Sequence, residues 1–248
     1  MSKISNKYNL KQFHRDLSEF HITLSDIQVE QFITYYEMLV EKNQVMNLTA
    51  ITDLDEVLKK HFVDSLSLVK ACDLNSASTE ISLIDIGTGA GFPGLPLKIA
   101  FPKLKVTLMD SLNKRVDFLN EVITVLKLDG IDVIHGRAED YANPAKLRET
   151  YDLCVSRAVA NLSTLSEYCL PYVKVGGKFI SYKSEKSAEE MDEAVNAIDL
   201  LGGKIDEQIA FTLPDSDIYR SLVVIKKISE TSSKYPRKAG MASKKPLK

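Results

Sequence analysis

The chain has only three cysteines, Cys72, Cys154 and Cys169, an odd number with no close pair at metal-ligand spacing. That excludes a disulfide-stapled miniprotein and a cysteine zinc framework, and it points to a reducing compartment. No segment approaches the roughly 18 uninterrupted apolar residues that span a bilayer, and residues 1–10 lack the apolar core of a secretory leader. Together these absences predict a cytoplasmic chain with no membrane and no metal partner. No internal repeat is visible. What is present is ordinary globular composition: 248 residues, 44% hydrophobic and 27% charged, enough for a sizeable core and far from disordered or collagen-like sequence. The length fits one large α/β domain with a smaller extension.

The net charge of −2 conceals an asymmetry, because residues 231–248 hold six Lys or Arg and no acid, leaving the rest of the chain acidic. A basic terminus of this kind either solvates a loose end or meets a polyanion such as RNA. At the other end, residues 1–75 read as helical. Ser25 with Gln28 three positions on forms a capping signal, followed by Ile27, Phe32, Tyr35, Tyr36, Leu39 and Val40 near helical spacing. The small polar residues 75–80 read as a linker. The predicted organisation is a helical extension over 1–75, a core over 76–230 and a basic tail over 231–248.

Beyond the linker, short apolar runs at 81–86, 104–110, 131–135, 151–156 and 178–182 alternate with helix-like segments such as 113–128. This alternation predicts a parallel sheet with helices on both faces. Runs at 204–213 and 221–228 are joined by Pro214-Asp215-Ser216-Asp217, too short for a parallel crossover, so they should pair antiparallel at the sheet's end.

The densest signal is Asp85-Ile86-Gly87-Thr88-Gly89-Ala90-Gly91-Phe92-Pro93-Gly94, a strand that runs into a glycine turn and then a helix. Glycine there permits unusual backbone angles and close approach of a ligand. The third glycine comes one position early for a dinucleotide fingerprint, which counts against NAD. The next strand ends at Asp110, where a carboxylate either accepts both ribose hydroxyls or caps the helix that follows. Glu139 and Asp140 either face an adenine edge or start a helix. Arg157, at the mouth of a central strand, suits a carboxylate, a phosphate or a base edge; alternatively it closes an ion pair with Asp85 or Asp152.

These residues resemble the bacterial 16S ribosomal RNA guanine-N7 methyltransferase family, also called glucose-inhibited division protein B. The likeness is carried by Asn47-Leu48-Thr49, His61-Phe62-Val63-Asp64-Ser65, the glycine loop, Asp110-Ser111-Leu112-Asn113-Lys114-Arg115, Arg137-Ala138-Glu139 and Ser156-Arg157-Ala158. Arg237-Lys238-Ala239-Gly240 fits the family as well. The resemblance implies a Rossmann-like, seven-stranded S-adenosylmethionine-dependent methyltransferase sheet with an N-terminal helical extension. It further implies methyl transfer to N7 of one guanine of 16S ribosomal RNA; separately, the negative net charge points to RNA shaped by ribosomal proteins in the assembled small subunit as a candidate substrate. Asp85, Gly87, Gly89, Gly91, Phe92, Asp110, Ala138, Glu139 and Arg157 are the expected cofactor-binding positions, and Arg157 is the expected catalytic residue.

Guanine N7 offers a lone pair and no proton, so positioning should dominate over acid or base catalysis. In line with this, Asp152-Leu153-Cys154-Val155 lacks the Asn/Asp-Pro-Pro-Tyr/Phe pattern of exocyclic-amine methyltransferases, and Cys154 lies in an apolar run that reads as core. Lys114, Arg115, Arg137, Lys183, Arg220 and the tail are the candidate phosphate contacts. Two other readings compete, an NAD-dependent oxidoreductase and a binding-only protein.

Overall fold

Seven strands, β1 (Ser82–Ile86), β2 (Lys105–Asp110), β3 (Ile131–His135), β4 (Tyr151–Arg157), β5 (Val173–Lys183), β6 (Gly203–Thr212) and β7 (Tyr219–Lys227), form one sheet in the order β3-β2-β1-β4-β5-β7-β6. Pairings from β3 through β5 are parallel, and β7 lies antiparallel to both β5 and β6. The order reverses beside β1, so the crevice between the carboxyl ends of β1 and β4 is the topological switch point where α/β sheets bind ligands. The computed structural model describes residues 7–74, 80–157, 160–184 and 188–248; most of the expected linker and Ala158 lie outside them.

Side chains alternate across the sheet as strand geometry requires. Leu83, Leu108, Val155, Ile180 and Val224 enter one apolar cluster, whereas Ile84, Met109, Cys154, Phe179 and Val223 enter the other. Against the first face pack α1 (Lys11–Glu19), α2 (Asp26–Met46), the helical run α3 (Leu54–Val57), π-turn Leu58–Val63 and α4 (Asp64–Leu66), then α5 (Gly94–Ala100) and α6 (Asn113–Leu126). The second face carries α7 (Ala138–Tyr141), α8 (Leu162–Cys169) and α9 (Ala188–Leu200). Each fully buried side chain of this core, such as Phe32 or Phe118, contributes about 1.5–3 kcal/mol.

The capping signal at Ser25 does more than start α2. Ser25 N–H donates to Gln28 Oε1 at 2.9 Å, and Gln28 N–H donates to Ser25 Oγ at 3.3 Å. The Gln28 amide then donates to the Ile99 and Ala100 carbonyls, and Gln31 donates to Leu126 O. Two α2 side chains thus satisfy carbonyls that the ends of α5 and α6 leave open, so the N-terminal helices and the sheet share one core.

β5 differs from expectation. It starts at Val173 rather than 178, and its pairing with β4 shifts between Tyr151↔Val173 and Leu153↔Lys178. Gly176, at φ 90°, accommodates the irregularity. The tail is not loose: it contains α10 (Met241–Lys244), with Ala242 buried.

Candidate active site

β1 delivers the glycine loop to the switch point, and Asp85 organises it from below. Its Oδ2 accepts from Thr88 Oγ1 at 2.7 Å and from Gly94 N–H at 2.9 Å. Gly87 and Thr88 donate their N–H groups to Met109 O, and Gly89 N–H donates to Asp110 Oδ2 at 2.9 Å, so the loop is tied to the end of β2. Gly87, Gly89 and Gly91 adopt φ of 70°, 63° and 107°. A Cβ on Gly91 would lie 2.4 Å from Leu95 Cδ1 and 2.8 Å from the Tyr35 hydroxyl, while one on Gly89 would meet nothing within 4 Å. Gly91→Ala should therefore cost about 2–4 kcal/mol, combining overpacking with a strained backbone. Gly89→Ala carries only the backbone penalty of about 1 kcal/mol. Urea unfolding of the two variants measures the contrast, and equal midpoints would contradict it.

A cavity of about 290 Å³ opens beside the loop, lined by Gly87, Asp110, Ala138 and Glu139 together with Ser111, Tyr168, Gly240 and Ser243. It gathers four of the expected positions. Asp85, Gly89 and Gly91 shape the loop rather than line this space, and Phe92 packs on Tyr35, His61 and Arg157. Asp110 does not cap α6, whose N-cap residue is Leu112 with no side-chain cap bond. It lines the cavity, its Oδ1 accepts from Leu112 N–H at 2.9 Å just before α6, and Arg115 lies 3.3 Å from Oδ2. Glu139 Oε1 accepts from Gly240 N–H at 2.8 Å. Tyr168, Gly240 and Ser243 were not anticipated. The Arg237-Lys238-Ala239-Gly240 stretch was the signal available for the tail, without any indication of where it docks.

Arg157 lies in a second cavity of about 500 Å³, with Lys60, His61, Asp64, Lys183 and Arg220. Its ion pair is with neither Asp85 nor Asp152, the partners considered from sequence. Asp152 is held by Ser82 and Lys174. Arg157 Nη1 instead meets Asp64 Oδ2 at 3.1 Å, while Arg220 Nε donates to Asp64 Oδ1 at 3.0 Å. One buried carboxylate thereby fixes two guanidinium groups and leaves one unit of positive charge at the cavity wall. Phe92 supports this group: the Arg157 guanidinium stands 5.0 Å from its ring centre, and His61 stacks on it at 4.6 Å. The aromatic set continues to Tyr35 and Phe62, and Tyr35 donates to Ala90 O. Of the basic residues considered for RNA, Arg115, Lys183 and Arg220 pair with Asp110, Glu190 and Asp64, and Arg237 in the tail pairs with Glu167.

Asp85 and His61 give opposed pH dependences. Burial pushes the Asp85 carboxyl up to about 6. The folded state then keeps a proton that the unfolded chain loses near pH 4, so this contribution to stability is present below about pH 4 and lost as pH rises to about 6. Burial, and then the Arg157 charge, push His61 down to about 4. Its contribution is present above about pH 6.5 and lost as pH falls towards 4. The stability of the parent chain minus that of His61→Gln should accordingly grow between about pH 4 and 6.5. The same difference for Asp85→Asn should shrink between about pH 4 and 6. Urea titrations at several pH values check both signs, and differences flat in pH would refute them.

Among the described residues no group of His, Cys, Asp or Glu is arranged to hold a metal ion, and no helix is long and apolar enough to cross a membrane. The fold matches solved structures at low identity. A mutant of MtNAS in complex with S-adenosylmethionine gives a TM-score of 0.52 at 18% identity, covering 82% of this chain and 77% of that one. TrmN from Thermus thermophilus gives 0.50 at 16% identity, covering 69% and 53%. Relatives closer in sequence are the ribosomal RNA small subunit methyltransferases G of Lachnoclostridium phytofermentans, 54% identical over 95% of this chain and 96% of that protein, and of Alkaliphilus metalliredigens, 54% identical over 99% and 100%. The family described as rRNA small subunit methyltransferase G matches residues 28–219, spanning the π-turn, the glycine loop and Arg157 alike. With the switch-point crevice, the glycine loop and near full-length identity all in agreement, the chain belongs to the rRNA small subunit methyltransferase G family.

Proposed function

We propose that this chain transfers the methyl group of S-adenosylmethionine to N7 of a guanine in 16S ribosomal RNA. The observation that carries the reading is an acid-lined cavity at the glycine loop, fit for a nucleoside, together with a second cavity whose Arg157 and His61 pack on Phe92 of the same loop. The residues present fit the cofactor. Asp110 is a buried carboxylate at a strand end, suited to two vicinal hydroxyls, and the space above Gly89 is open. Asp85 Oδ1 is buried with no partner among the described residues, an acceptor suited to an ammonium group directly or through water.

The cofactor supplies an electrophilic methyl on a sulfonium. The N7–methyl bond would form as the methyl–sulfur bond breaks, with the neutral thioether S-adenosylhomocysteine leaving and no proton to remove, so the chain's residues need only hold the base in line and exclude water. His61 fits that division of labour, because with its imidazole pushed down to about 4 it is neutral at physiological pH and serves as a stacking surface on Phe92. Arg157, kept rigid by Asp64 and Phe92, is the residue for orienting the base or the methionine end of the cofactor. The division into helical extension, sheet core and basic tail is part of the proposal, with the extension supplying His61 and Asp64 to the base side.

Radiolabelled S-adenosylmethionine incubated with small subunits lacking the modification should label 16S ribosomal RNA, and digestion should return the label as 7-methylguanosine. Label on another base, or none, would refute the reading. Naked RNA in parallel tests whether the assembled subunit is the substrate. Because the chain is net acidic, we expect the subunit to be preferred, with RNA binding that weakens steeply with salt.

A further inference from the structure

The C-terminal segment is fastened to the core at several points. Arg148 donates to the carbonyls of Thr231, Ser232 and Tyr235, and the fully buried Lys227 pairs with Glu149 at 3.0 Å, whose Oε1 also accepts from Thr231 N–H. Further along, Arg237 wraps the Glu167 carboxylate. Its backbone N–H donates to Oε1 at 2.8 Å, its Nε reaches both oxygens, and its Nη2 meets Oε2 at 2.6 Å. Glu167 is fully buried, so this fork is what satisfies its charge. Thr164 Oγ1 and Ser163 Oγ then donate to the carbonyls of Ala242 and Leu247.

The position of that anchor is informative. Glu167 precedes Tyr168 on α8, and Tyr168 is a wall of the smaller cavity. Three residues beyond Arg237, Gly240 takes φ 79° and points its N–H at Glu139, and Ser243 completes the wall. A left-handed glycine with its amide on a cavity carboxylate is not needed to bury the tail, since Ala242 and the Arg237 fork already do so. It does fix where that carboxylate stands.

We propose that residues 237–243 are part of the cofactor site: Arg237 and Glu167 act as positioning residues, Gly240 orients Glu139 towards the hydrogen-bond donors of the nucleoside, and Ser243 closes the cavity. This rests on the reading of the smaller cavity as the S-adenosylmethionine site. The basic charge of the tail is then in part structural rather than a surface for RNA.

Calorimetric titration of the full chain with S-adenosylhomocysteine, together with methylation kinetics, tests it. Gly240→Pro removes the N–H and cannot adopt the left-handed backbone, while leaving the Arg237 fork in place. Its dissociation constant should rise by about tenfold or more, with KM for the cofactor following and kcat at saturation changed little. Arg237→Ala should weaken binding similarly, with Arg237→Lys recovering only part of the affinity because an ammonium cannot reproduce the fork. In the parent chain, backbone amides of 237–243 should gain protection from hydrogen exchange when the nucleoside binds. Because Arg237→Ala leaves a buried carboxylate alone and can unfold locally, the exchange result on the unaltered chain decides in that case. Unchanged affinity in Gly240→Pro, or no added protection, overturns the proposal while the site assignment stands. Absence of binding by the parent chain overturns both.

Discussion

Asp110→Ala is expected to weaken S-adenosylmethionine binding by about 100-fold. Two hydrogen bonds from ribose hydroxyls to a carboxylate are worth about 1.5–3 kcal/mol each, and the lower end of that range already corresponds to such a loss. The substitution also removes the acceptor for Gly89 N–H and Leu112 N–H, so part of the effect comes through the shape of the loop. Asp110→Asn keeps one carbonyl acceptor but turns its NH2 towards the other backbone donor, so it should lose some stability, less than a loop left with no acceptor, and should still lose much of the affinity. Calorimetry with the cofactor and urea unfolding of both variants measure the two quantities. A parental dissociation constant in a folded Asp110→Ala protein would remove the nucleoside from this crevice.

Arg157→Ala should lower kcat/KM for methylation by about 100-fold, the loss expected when a charged, rigid contact that orients a reactant disappears. The fall should be larger than the change in cofactor affinity, because the side chain belongs to the larger cavity rather than to the nucleoside end. Arg157→Lys should restore little. A flexible ammonium can neutralise Asp64 but cannot stack on Phe92 and present a second edge at once. Asp64→Asn is the complementary variant. It leaves both guanidinium groups in place without their shared anchor, and turnover should fall with little change in cofactor affinity. Full activity of Arg157→Ala at limiting cofactor would rule the residue out of the reaction.

The parts of this molecule that follow local rules were legible in the sequence. The strand at 131–135 and the cap at Ser25 appear where periodicity and hydrogen-bonding chemistry place them. The antiparallel pair β6–β7 follows from a connection too short to cross over. β5 was half visible, since 173–177 has no apolar run and its two glycines hide a strand that pairs across a register shift. Partners distant in sequence were not legible. Asp64 and Arg157 are drawn from different layers, and neither local pattern nor composition says that an acid of α4 will meet a strand end of the sheet. The tail is the sharpest case. Its composition resembles a solvated polycation, yet Arg237 is matched by Glu167, an acid on an otherwise apolar helix face that only the folded chain brings near.

Tyr35 has a consequence for anyone engineering this scaffold. Its ring packs on Phe92, its hydroxyl donates to Ala90, and it rides on a helix that also closes the ends of α5 and α6. Trimming the chain to a minimal catalytic unit by deleting its first seventy or so residues would leave the glycine turn without its backing and expose an oily sheet face. Anyone seeking a smaller enzyme, or a graft onto another base-recognition module, must therefore transplant that helix along with the sheet.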